Sequence, residues 1–283
     1  MTFRATVYPP LWRNVSALLF LVSRGSLLVL LALLLFFETR LSNPLRLIRV
    51  FAETALLPGI AGWLVARFHR ATLEVRDGML AVELPARRIE IPCNSIDGAT
   101  PWPIPLPSGG LWLELESGRR FPYGIEVANP SALVEAIGQC ADPDRAGLRI
   151  ASQGIARAYA EAAFRPAGAW YRPVLKYVVF ALVPAVPLFR LHQWITYGGT
   201  FGEYYMYGLQ AYLIAFAIYW AHAAIWLILL DTALATIGAA ITLAAAFVVP
   251  PAAAGVGRAM RIARSILFYG SVPVFLLRLF LLS

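Results

Sequence analysis

The sequence predicts a polytopic α-helical membrane protein of about six spans, with a small α+β domain inserted between two sets of helices. Three observations predict this. Of the 283 residues, 59% are hydrophobic and only 14% are charged, where a soluble domain carries roughly a quarter charged residues. Apolar runs of membrane-crossing length recur along the chain. Between residues 71 and 140 the texture changes to short alternating segments separated by turn residues.

The first span is read at residues 14–37, "NVSALLFLVSRGSLLVLLALLLFF", long enough to cross ~30 Å of hydrocarbon at 1.5 Å per residue. Arg24 interrupts it, and Ser42-Asn43-Pro44 then supplies a turn and a helix start. A second span at 50–68 contains Glu53, Pro58 and Gly59 and is expected to bend. Arg49 and Glu53 stand at i and i+4, where they can pair on one helix face. Residues 1–70 therefore read as a two-helix membrane hairpin.

Asp77-Gly78 inside "ATLEVRDGMLAVEL" is a strong two-residue hairpin signal. "RRIEIP" gives a third strand, with Ile89 and Ile91 inward and Arg88 and Glu90 outward. "GGLWLELESGRRFPYGI" gives two more around Ser117-Gly118. In "NPSALVEAIGQC", Asn129 is a cap, Pro130 takes the first helical position, and Leu133, Val134 and Ile137 have helical spacing. About five strands closed by one amphipathic helix make a domain of roughly 70 residues, near the lower size limit for its own core. An Ala-rich amphipathic bridge follows at 141–169, and a membrane bundle of about four spans at 170–283.

Within that bundle the spans are read at 174–189, 209–230, 232–249 and 266–282, so the count is six, with five and seven as alternatives. Pro184 and Pro187 bend the first of them or make it re-entrant. The section "RLHQWITYGGTFGEYYMYG" holds six aromatic residues and reads as interface. Asp231 alone separates the spans at 209–230 and 232–249.

The segment "LEVRDGMLAVEL", then "RRIEIPCNSIDGA", then "GLWLELESGRRFPYGI" and the closing helix resembles the bacterial PH-like domain, whose members often sit beside a pair of membrane helices. The resemblance covers residues 71–140, about a quarter of the chain. It implies a sheet closed by a C-terminal helix and a docking role. The proline-rich "PWPIPLPSGG" departs from the family's loop.

The net charge of +8 is spread between the apolar runs, so lipid phosphates are the expected anionic contact and nucleic acid is not. Cys93 and Cys140 form neither a CxxC pair nor a Cys/His cluster. Both are expected as reduced thiols in a cytoplasmic domain. No metal, no cofactor and no catalytic residue is expected, because no paired carboxylates, nucleophile elbow or phosphate loop stands in a suitable context.

The ionisable residues of the spans are the candidates. His222 could relay protons or ligate haem, or it could be a neutral histidine bonded between helices; His69 and His192 are poorly placed as a second haem ligand. Asp231 is either an intramembrane carboxylate on an ion path or the wet cap of a tight turn. Arg258, Arg261 and Arg264 recur every third residue, fit to meet an anionic lipid or a partner, or to make ordinary headgroup contacts. The expected function is a non-catalytic accessory, scaffold or assembly subunit of the bacterial inner membrane, contacting lipids and other membrane subunits. A transporter or lipid-handling protein with a polar site near His222 and Asp231 is the alternative. The small domain is placed on the cytoplasmic side by Arg67, Arg70, Arg76, Arg165 and Arg172, which flank spans there.

Overall fold

The computed structural model describes residues 1–37, 43–102, 110–127, 129–141, 149–150 and 171–281. The chain opens on a strand, not on a membrane helix. In β1 (Thr2–Tyr8) Phe3, Ala5 and Val7 alternate with Arg4 and Thr6, and Ala5 and Val7 are buried. The helices α1 (Pro10–Phe36) and α2 (Pro44–Phe68) follow, and α2 widens into a π-turn at Ala52–Leu56. Asn43 caps α2 by accepting from the N–H groups of Leu45 and Arg46. The Arg49–Glu53 pair forms at 2.9 Å.

The strands β2 (Arg70–Arg76), β3 (Met79–Leu84), β4 (Arg87–Pro92), β5 (Ile96–Pro101), β6 (Gly110–Leu115) and β7 (Gly124–Val127) come next. With β1 they form a seven-stranded antiparallel sheet in the order β4-β3-β2-β1-β7-β6-β5. A two-residue strand, β8 (Arg149–Ile150), adds in parallel to β5. The β2–β3 turn puts Asp77 and Gly78 at φ 53° and 76°, as an Asp-Gly hairpin requires. The stretch from Ile96 to Pro101, which the sequence reading leaves outside the strands, is a strand. It pairs with β6 through a bulge between Ile96 and Gly98, which breaks the alternation that would have marked it.

The helix α3 (Pro130–Ala141) closes the sheet and buries Leu133, Val134, Ala136 and Ile137 against it. Asn129 accepts from the Ala132 N–H at 3.1 Å and caps the helix as its sequence predicts. Cys93 and Cys140 are not reduced thiols but a disulfide, with Cα atoms 5.9 Å apart. Spacing could not reveal this, because the pairing depends on α3 laying Cys140 over the short helical turn Cys93–Ser95.

The C-terminal part contains α4 (Arg172–Tyr197), α5 (Gly202–Val248) and α6 (Ala253–Leu281). Five helices, α1, α2, α4, α5 and α6, are long and apolar enough to cross a membrane. The spans read at 209–230 and 232–249 are one helix, because α5 runs unbroken through Asp231, and this leaves five, one of the alternatives to six. The one irregularity of α5 is Gly208, at φ 86° and ψ 174°. The aromatic section after Pro187 belongs partly to α4, which continues to Tyr197 and ends on Gly198 in the left-handed conformation. The bridge at 142–148 and 151–170 and the proline-rich loop at 103–109 lie outside the described residues.

The chain divides into two compact units. One comprises 1–23, 57–167 and 239–259 and holds the sheet and its core, centred on Leu73, Leu80, Val82, Leu113, Ile125, Leu133 and Ile137. In it α1 and α2 approach closely at glycines. A Cβ on Gly59 would lie 3.0 Å from Ser23 Oγ, and one on Gly62 would lie 3.1 Å from the Phe20 ring. The other unit comprises 24–56, 168–238 and 260–283. Its helices pack through Ala181, Ala185, Ala223, Leu227, Phe268 and Val272, and through Leu30, Leu47, Ile225 and Leu229.

Candidate functional site

Among the described residues, the densest gathering of charge in the helical bundle surrounds Asp231. The residue sits in the middle of α5, with its side chain 2% exposed. Its Oδ1 accepts from Lys176 Nζ at 2.7 Å and from Arg264 Nε at 2.7 Å. Its Oδ2 accepts from Arg264 Nη2 at 2.5 Å and from the Tyr177 hydroxyl. Lys176 and Arg264 are themselves largely covered, at 22% and 19% exposure. Lys176 Nζ also stands 4.2 Å from the centre of the Phe268 ring, close enough for cation–π attraction.

Each donor is delivered by local structure. Lys176 and Tyr177 are neighbours in the π-turn Leu175–Val179 of α4, where the Phe180 N–H reaches back five residues to the Leu175 carbonyl at 2.9 Å. The Val178 carbonyl of that turn accepts from Trp220 Nε1 at 2.8 Å. Arg264 lies on α6 and presents its planar fork to both carboxylate oxygens, which a lysine could not do.

A carboxylate has about four lone-pair positions, and here four donors fill them. No position is left for a transported cation. The arrangement does two things well: it cancels charge inside apolar surroundings, and it ties α4, α5 and α6 together. Asp231 is therefore not the wet cap of a turn.

His222 does not join it. Nine residues separate the two on α5, which places them on opposite sides of the helix and about 13 Å apart along its axis. His222 Nε2 accepts from Trp226 Nε1 at 3.0 Å, which leaves the proton of the neutral ring on Nδ1, a buried atom with no hydrogen-bond partner among the described residues. The three arginines also part company. Arg264 turns to Asp231, while Arg258 is exposed and falls in the other compact unit. Spacing of three drifts around a helix of 3.6 residues per turn, so the three arginines do not share one direction. Lys176 and Tyr177 were missed, although a lone lysine in "VLKYVVF" was the signal for an intramembrane partner. Among the described residues, no three His, Cys, Asp or Glu side chains gather as metal ligands.

A second constellation sits where the sheet unit meets its own helices. The Arg13 guanidinium lies 4.2 Å from the centre of the Trp102 ring and 5.7 Å from that of Trp112. His69 stacks on Tyr8 and on Trp12, at 5.5 and 5.8 Å. Burial and the nearby Glu126 carboxylate hold the Tyr8 hydroxyl well above its ordinary range, so it stays neutral. Gly110 and Gly124 make room for the indole, since a Cβ on either would fall within 2.9 Å of Trp102.

No protein-family model, no curated protein and no solved structure matches the chain.

Proposed function

We propose that the protein is a membrane-anchored docking subunit: a non-catalytic accessory or assembly component whose sheet domain is held rigidly at the bilayer surface to receive partners. The observation that carries this reading is the way the sheet is fastened. The helices α1 and α2 are inserted between β1 and β2, which pair directly, with Thr6 opposite Arg70. Only Pro9 separates β1 from α1, and only His69 separates α2 from β2. The Val7 N–H donates to the His69 carbonyl at 2.9 Å, across the two exits. A domain joined at two adjacent strands, without linkers, cannot swing freely on its anchor. Such stiffness suits a platform that must present one face in a fixed pose.

Two antiparallel runs, β1–β4 and β5–β7, joined where β1 pairs with β7 and closed by the amphipathic helix α3, support the PH-like reading of this domain, and with it a docking role. The saturated carboxylate at Asp231 supports a structural bundle over a transport path. The expected partners are membrane lipids and other integral subunits of a bacterial inner membrane. No nucleic acid partner is expected.

Size measurement after extraction of native membranes in mild detergent tests the reading. The chain is expected to migrate in an assembly with a stoichiometric protein partner. Migration as a lone monomer, from membranes holding it at natural abundance, would overturn the proposal.

A further inference from the structure

The disulfide carries information about where the sheet domain resides. Cys93 is fully buried at the end of β4, and Cys140 lies on the stripe of α3 that also carries Leu133 and Ile137. The pair is therefore built into the core beneath the closing helix, not brought together by chance at the surface. Disulfides of this kind form and persist in oxidising compartments and are rare where thiol reductants act.

A second observation comes from the first membrane helix, which usually dominates orientation. Its N-terminal flank carries Arg4 and Arg13. Its C-terminal connection carries Arg40, Arg46 and Arg49, and the last two are exposed on the short cationic segment that opens α2. The excess of positive charge places that connection in the cytoplasm.

A helix that crosses puts its two ends on opposite sides, so β1, which directly precedes α1, lies opposite that connection.

We infer that the sheet domain faces the oxidising, extracytoplasmic side of the membrane, closed there by the Cys93–Cys140 bond. This reverses the side expected from Arg67, Arg70, Arg76, Arg165 and Arg172. Those residues flank a segment of about a hundred residues, and segments of that length cross largely regardless of charge. A docking partner would then be an extracytoplasmic protein or the outer leaflet of the same membrane.

Two labelling measurements on the full chain in its membrane test this. In the first, cells are quenched in acid, denatured and treated with maleimide-polyethylene glycol. No gel shift is expected without reductant, and a shift of two adducts after reductant. In the second, a cysteine is placed at Arg119 or at Arg46 with the native pair intact. Spheroplasts are then exposed to a membrane-impermeant maleimide. The R119C chain is expected to label before lysis, and R46C only after it. Native cysteines that take up the reagent without reductant, or R119C that labels only after lysis, would overturn the inference. Neither result depends on whether a docking partner exists, so the two proposals fail separately.

Discussion

Two cations and a hydroxyl converge on one covered carboxylate at Asp231. Removing one member of such a cluster leaves charges without their partner. Measured losses for breaking a buried pair run to about 3–5 kcal/mol. Asp231→Asn keeps the shape but removes the charge and turns an amide donor toward other donors, so a loss near the lower bound is expected, about 3 kcal/mol. Thermal unfolding in detergent measures it, and a variant within about 1 kcal/mol of the parent would remove the clamp from the account. Tyr177→Phe deletes one hydrogen bond and is expected to cost about 1 kcal/mol. At the sheet, Gly110→Ala must displace backbone, because its Cβ would lie 2.7 Å from the Ile125 carbonyl oxygen, whereas Gly124→Ala meets only ring atoms. Overpacking of this type costs about 1–3 kcal/mol, and chemical denaturation should rank Gly110→Ala as the more damaging. At this scale the sequence was informative about which residues were unusual and silent about their partners. An aspartate between two apolar runs is visible in one dimension, but the lysine and arginine that satisfy it lie 55 and 33 residues away.

Among the elements, the closing helix and the hairpin were legible because their signals are local. Asn129, Pro130 and the spacing of Leu133 and Ile137 specify α3, and Asp77-Gly78 specifies the β2–β3 turn. The first strand escaped because seven residues at a terminus carry little pattern, and its pairing with β2 spans an intervening helical hairpin. The long helix α5 escaped for the opposite reason, since a charged residue inside an apolar run suggests a loop unless its partners are known. The disulfide is the element-level staple. It closes a loop of sequence separation 47, for which the chain-entropy relation gives about 4 kcal/mol of stabilisation. Replacing Cys140 by Ser should lower the denaturant midpoint of the sheet domain by a corresponding amount, and reductant should do the same to the parent chain. Equal midpoints with and without the bond would mean that packing of Leu133 and Ile137 alone holds α3 in place.

For the whole molecule, the fold class followed from composition and apolar run length, the most robust signals a chain contains. The number of spans did not, because it turned on one buried ion cluster. Nor did the attachment of the sheet, which depends on β1 standing before the first membrane helix and not after the second. The proposed docking role rests on that attachment of the sheet to α1 and α2. Site-directed photo-cross-linking from the sheet in native membranes tests this most directly. A photoreactive residue at exposed Arg119, or at Glu90 on the edge strand β4, should give a discrete adduct with one protein partner. The same group at Leu18, on the exposed apolar surface of α1, should give lipid adducts. Only lipid or solvent products from every sheet position would contradict the account.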